Sequence, residues 1–134
     1  MKRVPISECP AGPWLDAAVA KAIGYKVNGA SVDDTFYPAG CIKSGEFVSF
    51  NRNLGAWWSP STDITAAWEL VEEGDLLVEN FLTKNEDDKY VICHKYHGFG
   101  EWPEYYEGND EDVSLVIARA FLRAKGVEYV EIPE

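Results

Sequence analysis

Trp57-Trp58-Ser59-Pro60-Ser61-Thr62-Asp63-Ile64-Thr65-Ala66-Ala67-Trp68-Glu69-Leu70-Val71-Glu72 is the stretch on which the fold turns. Pro60 interrupts any preceding regular structure, and Ser61 follows it as a natural helix N-cap. Asp63 falls in the first turn, where the positive end of the helix dipole favours a carboxylate. Ile64, Ala67, Trp68 and Val71 recur at helical spacing, and Gly74 supplies a stop. The stretch predicts a helix over about 62–73.

Two further helices are expected on either side. Leu15, Ala18, Val19, Ala22 and Ile23 share one helical face between Pro13, suited to a first helical position, and Gly24, suited to a left-handed stop. Near the C-terminus, Val113, Val116, Ile117, Ala120, Phe121 and Ala124 give a helix over about 111–125 a broad apolar face, widened by Leu115 and Leu122. It is expected to be the most buried of the three. Asn109 or Asp110 suits its cap, Arg119, Arg123 and Lys125 suit its later turns, and Gly126 stops it.

Strand signals fill the intervals. Residues 46–51 alternate, 76–82 and 89–96 flank a polar turn at 84–88 as a hairpin would, and 127–132 is β-branched. Residues 26–46 and 97–110, rich in Gly, Pro, Asp and aromatics, read as long loops. The expected class is α+β, with three helices packed around a small, mainly antiparallel sheet, in one domain over 1–134. A parallel α/β arrangement would need crossovers that the 76–96 hairpin does not supply.

Composition narrows the function classes. The chain has 134 residues, 46% of them hydrophobic, which suits a folded domain that buries about 68% of its unfolded surface. No apolar run reaches a membrane span of about 18 residues, and the N-terminus lacks the apolar segment of a cleaved signal peptide. The net charge is −11. Such a surface disfavours direct binding of nucleic acid, which needs basic clusters. Residues 69–89 and 101–112 each contribute −6, and the remainder sums to +1. Cys9, Cys41 and Cys93 show no CxxC spacing, so a reducing compartment without a disulfide framework is expected.

The three helical segments resemble one family. Pro10-Ala-Gly-Pro-Trp-Leu-Asp-Ala-Ala-Val-Ala-Lys-Ala-Ile-Gly-Tyr25 is similar to the opening helix of the phage ABA sandwich domains. The Pro-Ser-Thr-Asp of residues 60–63, followed by the Ala-Ala-Trp of 66–68, resembles that family's most distinctive block. Ala118-Arg-Ala-Phe-Leu-Arg-Ala124 is similar to its closing helix. The aromatic stretch 97–110 and the tail beyond Gly126 depart from the pattern. The resemblance implies layers of helix, sheet and helix, and a phage or prophage protein acting in the bacterial host cytoplasm. It implies no reaction, because the family is a domain of unknown function.

Motifs for catalysis are missing. There is no GxSxG, HExxH or phosphate-binding Gly-rich loop, and carboxylate pairs are expected at this acidity. Cys93-His94-x-x-His97 is the only group with metal-ligand chemistry. A strand there would point Cys93 and His94 to opposite faces, so no metal is expected. The chain reads as no enzyme and as needing no cofactor.

Aromatic residues in loops are the feature in excess. Trp57 and Trp58 precede the middle helix, and Trp102 and Tyr106 stand in the acidic loop. The first expectation is capture of a small nucleotide-type host defence signal, in a homo-oligomer. Bases would stack on Trp57, Trp58, Trp102 or Tyr106, and phosphates would meet Arg52 and the amides and hydroxyls at Ser61 and Thr62. Asp63 opposes that anion site by its charge. The alternative is an acidic inhibitor or adaptor that docks on a basic host protein through the 101–112 stretch.

Overall fold

The computed structural model describes residues 1–73, 76–77, 94–95, 104–105 and 113–133. Strand β1 (Lys2–Pro5) and a 3₁₀ turn (Ile6–Glu8) lead into helix α1 (Pro13–Ile23). A meander follows, made of β2 (Lys26–Val32), β3 (Thr35–Lys43) and β4 (Glu46–Ser49). Helix α2 (Ile64–Glu73), the short strands β5 (Leu76–Leu77), β6 (His94–Lys95) and β7 (Glu104–Tyr105), helix α3 (Val113–Ala124) and β8 (Tyr129–Ile132) complete the order. The protein has an α+β fold. Among the described residues the strands form three small antiparallel sheets, β1-β8, β2-β3-β4 and β5-β6-β7, where the sequence suggests one.

Helix boundaries follow local chemistry. Pro13 opens α1 because its missing N–H and fixed φ cost nothing there. Gly24 closes it at φ 107, giving its N–H to the carbonyls of Ala20 and Lys21. At the end of α3, Val127 donates back to Leu122 and Gly126 adopts φ 83. Residues 114–118, 120–122 of α3 are all buried, so it is the most enclosed of the three helices.

The segment 26–46 overturns the loop reading. Asp33 and Asp34 both take positive φ, 49 and 65, as a two-residue type I′ turn requires. Ser44 and Gly45 repeat the device at φ 53 and 81. Gly and Pro obscured the strands, and each has a place in them. A Cβ on Gly40 would collide with the Val48 carbonyl and stand 2.6 Å from the Phe47 ring. Pro38 lies opposite Gly29, just past the register shift at Asn28/Gly29. β4 pairs with β3 only over Gly40–Lys43, so Pro38 deprives no ladder of a donor on that side.

Two helices present different faces from those expected. On α1 the fully enclosed side is Leu15, Asp16, Ala17, Val19 and Ala20, while Ala18 and Ala22 are only partly covered. On α2 the buried residues are Ala66, Ala67 and Leu70, leaving Ile64 43% and Trp68 38% exposed. Helix α2 also begins later than expected. Asp63, rather than Ser61, is its cap, accepting from the Ala66 N–H at 3.2 Å. The core gathers Val4, Ile6, Leu15, Val19, Leu70, Ile117, Phe121 and Val130 into one cluster drawn from both ends of the chain. The pairing of β5 with β6 agrees with the expected 76–96 hairpin, and the rest of that hairpin lies outside the described residues. So do the N-cap of α3 and the acidic aromatic stretch, apart from Glu104–Tyr105, which form strand β7 where a loop is expected.

Candidate functional site

The start of the middle block is built around a buried carboxylate. Asp16 is fully enclosed on α1. Its Oδ2 accepts from the Ser59 hydroxyl at 2.6 Å, and its Oδ1 accepts from the Ser61 N–H at 2.9 Å. Ser59 also meets Thr62 Oγ1 at 2.7 Å, and Ser61 Oγ accepts from the Gly12 N–H at 2.9 Å. Burial pushes the Asp16 carboxyl up to about 6, although the bonds from Ser59 and Ser61 pull the other way. The block thus ties the 59–61 segment to the first turn of α1. Enclosure leaves Asp16 no contact with a substrate, so its role is positional.

This arrangement decides the expected ligand residues one by one. Ser61 is fully buried, with its N–H and Oγ both engaged, and is removed as a phosphate contact. Thr62 is exposed but turns its hydroxyl to Ser59. The Ala66 amide in the first turn of α2 is served by the Asp63 carboxylate, so an anion there would meet a like charge. Trp58 is a core residue rather than a stacking platform. It is buried, stands edge-on to Tyr25 at 5.7 Å, and donates its indole N–H to Glu69 at 3.2 Å. Glu69 also meets Lys43 at 3.5 Å.

Trp57 and Arg52 are brought together. The Arg52 guanidinium lies 5.4 Å from the centroid of the half-buried Trp57 ring, beside an exposed turn at 51–56. Trp102 and Tyr106 lie outside the described residues, as do Cys93 and His97 of the metal-type cluster. Among the described residues no three His, Cys, Asp or Glu side chains gather as metal ligands. Cys9 and Cys41 are buried free thiols, and burial raises both, Cys41 to about 11. Thiols held protonated in this way are poor nucleophiles.

A different region offers the open concavity. A groove of about 590 Å³ lies between α1, the start of β3 and β8. Ala17, Ala18 and Ala22 form its floor, and Phe36 and Tyr129 stand on opposite walls. Trp14 closes one end, edge-on to Tyr37 at 5.9 Å. Phe36, Tyr37 and Tyr129 are 39%, 44% and 47% exposed. Arg3 lies 4.6 Å over the Tyr129 ring and opposite Glu131 in the ladder. The loop reading of 26–46 hides this site, because β2 and the start of β3 are what bring Phe36 beside α1. The Ser44-Gly45 dipeptide, a turn signal, was the available clue.

Comparison of the chain with protein-family models, with curated proteins and with solved structures returns no match. No helix of the described residues is long and apolar enough to cross a membrane.

Proposed function

We propose that this protein acts by binding rather than by catalysis, as an acidic adaptor or inhibitor that docks on a basic protein. The observation that carries this reading is the α1 groove, with exposed rings on its walls, in a chain of net charge −11. Aromatic side chains beside a concavity supply contact area at low entropic cost, and the acidic field draws in a basic partner. The sequence resemblance to phage ABA sandwich domains supplies the proposed setting, the cytoplasm of a bacterial host, and makes the partner a host protein.

Salt separates this reading from its rival. The tagged protein is used for capture from bacterial lysate at low and at high ionic strength. A basic protein enriched at low salt and lost at high salt is the expected result. Absence of any such protein refutes the reading.

Capture of a small nucleotide is the second reading, favoured by Arg52 over Trp57, which sets a cation beside an aromatic face. Of the other residues expected for it, Trp58 and Ser61 are committed to the interior. Native mass spectrometry of the protein expressed in bacteria tests it, and also reports any homo-oligomer. A nucleotide-sized adduct that Arg52→Ala abolishes would move this reading to first place.

A further inference from the structure

The groove's walls carry unpaired strand edges. Ile6 donates its N–H to the Glu128 carbonyl at 3.0 Å, one step before the β1–β8 ladder begins. In an antiparallel pair, hydrogen-bonded and non-hydrogen-bonded positions alternate. Counting from Ile6 opposite Glu128, Val4 opposite Val130 is hydrogen-bonded. Pro5 opposite Tyr129 and Arg3 opposite Glu131 are not. Pro5, which has no N–H to give, fits this count. Tyr129 and Glu131 therefore turn their backbone N–H and C=O groups away from β1. Among the described residues, β8 pairs with no strand other than β1, and no backbone group meets these four.

The same edge faces the groove. Tyr129, Val130 and Glu131 line it consecutively. A strand seen from its face presents alternate residues, so a consecutive run is presented edge-on. β8 is also the strand of its sheet that packs on α1. On the far wall, the two-residue turn at Asp33-Asp34 makes Val32 opposite Thr35 the closing hydrogen-bonded pair. Phe36 then turns its N–H and C=O away from β2, and β4 reaches only to Gly40. The groove is a channel with the β8 edge for one wall, Phe36 and Pro38 of β3 on the other, and the α1 alanines between them.

We propose that this channel receives an extended peptide segment of the basic partner, which adds a strand to β8. The inference rests on the docking function proposed above and names its mode. An extended backbone is the conformation that satisfies groups spaced as those of Tyr129 and Glu131 are. Its inward side chains lie over Ala17, Ala18 and Ala22, whose small size leaves depth for large apolar groups. Its outward side chains are basic, drawn by the net charge and by Asp34 and Glu131 on the two walls, against Lys21, the Met1 amino group and Arg3 as the cations beside them.

The test uses the full chain, isotope-labelled for NMR, and an acetylated peptide of about eight alternating valines and lysines, within normal strand length. The expected result is a shift of the Phe36, Tyr129 and Glu131 amides, with Tyr129 and Glu131 protected from hydrogen exchange. The same peptide, methylated on the backbone nitrogens of alternate residues, is expected to bind about tenfold more weakly or worse. Glu131→Pro removes an outward N–H and leaves the β1 ladder its bonds, and it should abolish binding with Val4 and Val130 amides unchanged. Ala18→Phe, which fills the floor, gives the same answer should the proline variant fail to fold.

No shift at these amides up to about 1 mM peptide overturns the proposal. Equal binding of the methylated peptide also overturns it. Should the wild type and Glu131→Pro capture the same basic protein equally well, the strand mode fails and the docking function stands. Should neither capture one and no peptide bind, both fail.

Discussion

Replacing Asp16 with asparagine isolates the energetics of the buried junction between α1 and residues 59–62. Burial raises the Asp16 carboxyl to about 6 from an ordinary 3.8. The folded protein therefore holds a proton on this group, between those two values, that the unfolded chain has released. Stability from this source is fully present below about pH 4 and is lost as the pH rises through about 6. The shift of about two pK units amounts to about 3 kcal/mol. Asparagine keeps the shape and cannot titrate. Its Oδ1 accepts from the Ser61 N–H, and its amide donates to Ser59 Oγ, which then donates to Thr62. It copies the protonated acid.

The assay is urea unfolding followed by tryptophan fluorescence at pH 4 and pH 7, for wild type and Asp16→Asn. Near pH 4 the two proteins should agree within about 1 kcal/mol. At pH 7 the variant should be the more stable by about 2–3 kcal/mol. Other carboxylates cancel in the difference between the proteins. A difference that is the same at both pH values would refute the reasoning, because Asp16 would then bind protons equally in the folded and unfolded states. Asp16→Ala is the control. It leaves Ser59 and the Ser61 N–H without their acceptor and should lower stability at both pH values.

Other perturbations probe the frame around that junction. Ser61→Ala deprives the Gly12 N–H of its acceptor and should cost about 1–3 kcal/mol by urea titration. Gly40→Ala drives a methyl into the Val48 carbonyl and the Phe47 ring, and a loss of about 2 kcal/mol or more is expected in thermal or chemical melts. Phe121→Ala opens the centre of the core and should cost about 3–5 kcal/mol, read from the same titrations. Cys9 and Cys41 should react with iodoacetamide at pH 8 only as fast as the protein opens, so labelling followed by mass spectrometry should accelerate in step with added urea.

The elements legible in the sequence were those whose signals are local. Pro13, Gly24 and Gly126 mark helix ends through backbone freedom alone, and all three act as expected. Helix α3 is apolar on so many sides that its burial hardly depends on its neighbours. The misreadings have a common cause, which is that a neighbour overrides a pattern. Asp16 looks like a surface acid until Ser59 and Ser61 arrive to solvate it from forty-odd residues away. Once it is inside, the buried side of α1 includes it, and Ala18 and Ala22 are left to floor the groove. Ser61 has the chemistry of a cap and serves α1 rather than its own helix. The meander was hidden because Asp-Asp is an uncommon type I′ turn and because Gly29, Pro38 and Gly40 dilute the strand pattern. Of the expected ligand residues among those described, Trp57 and Arg52 keep their relation, through a contact short in sequence.

The pairing of β1 with β8 has a consequence for how the chain is made. Residues 2–5 are synthesised long before their partners at 129–132. Until then Val4 and Ile6 have no Val130 beside them, and the apolar surface they present belongs to no finished core. Antiparallel meanders such as β2-β3-β4 close over short loops and form early, whereas this ladder closes across nearly the whole sequence. The β1–β8 ladder is therefore the late step of folding, and truncations that lose β8 should be degraded rather than accumulate.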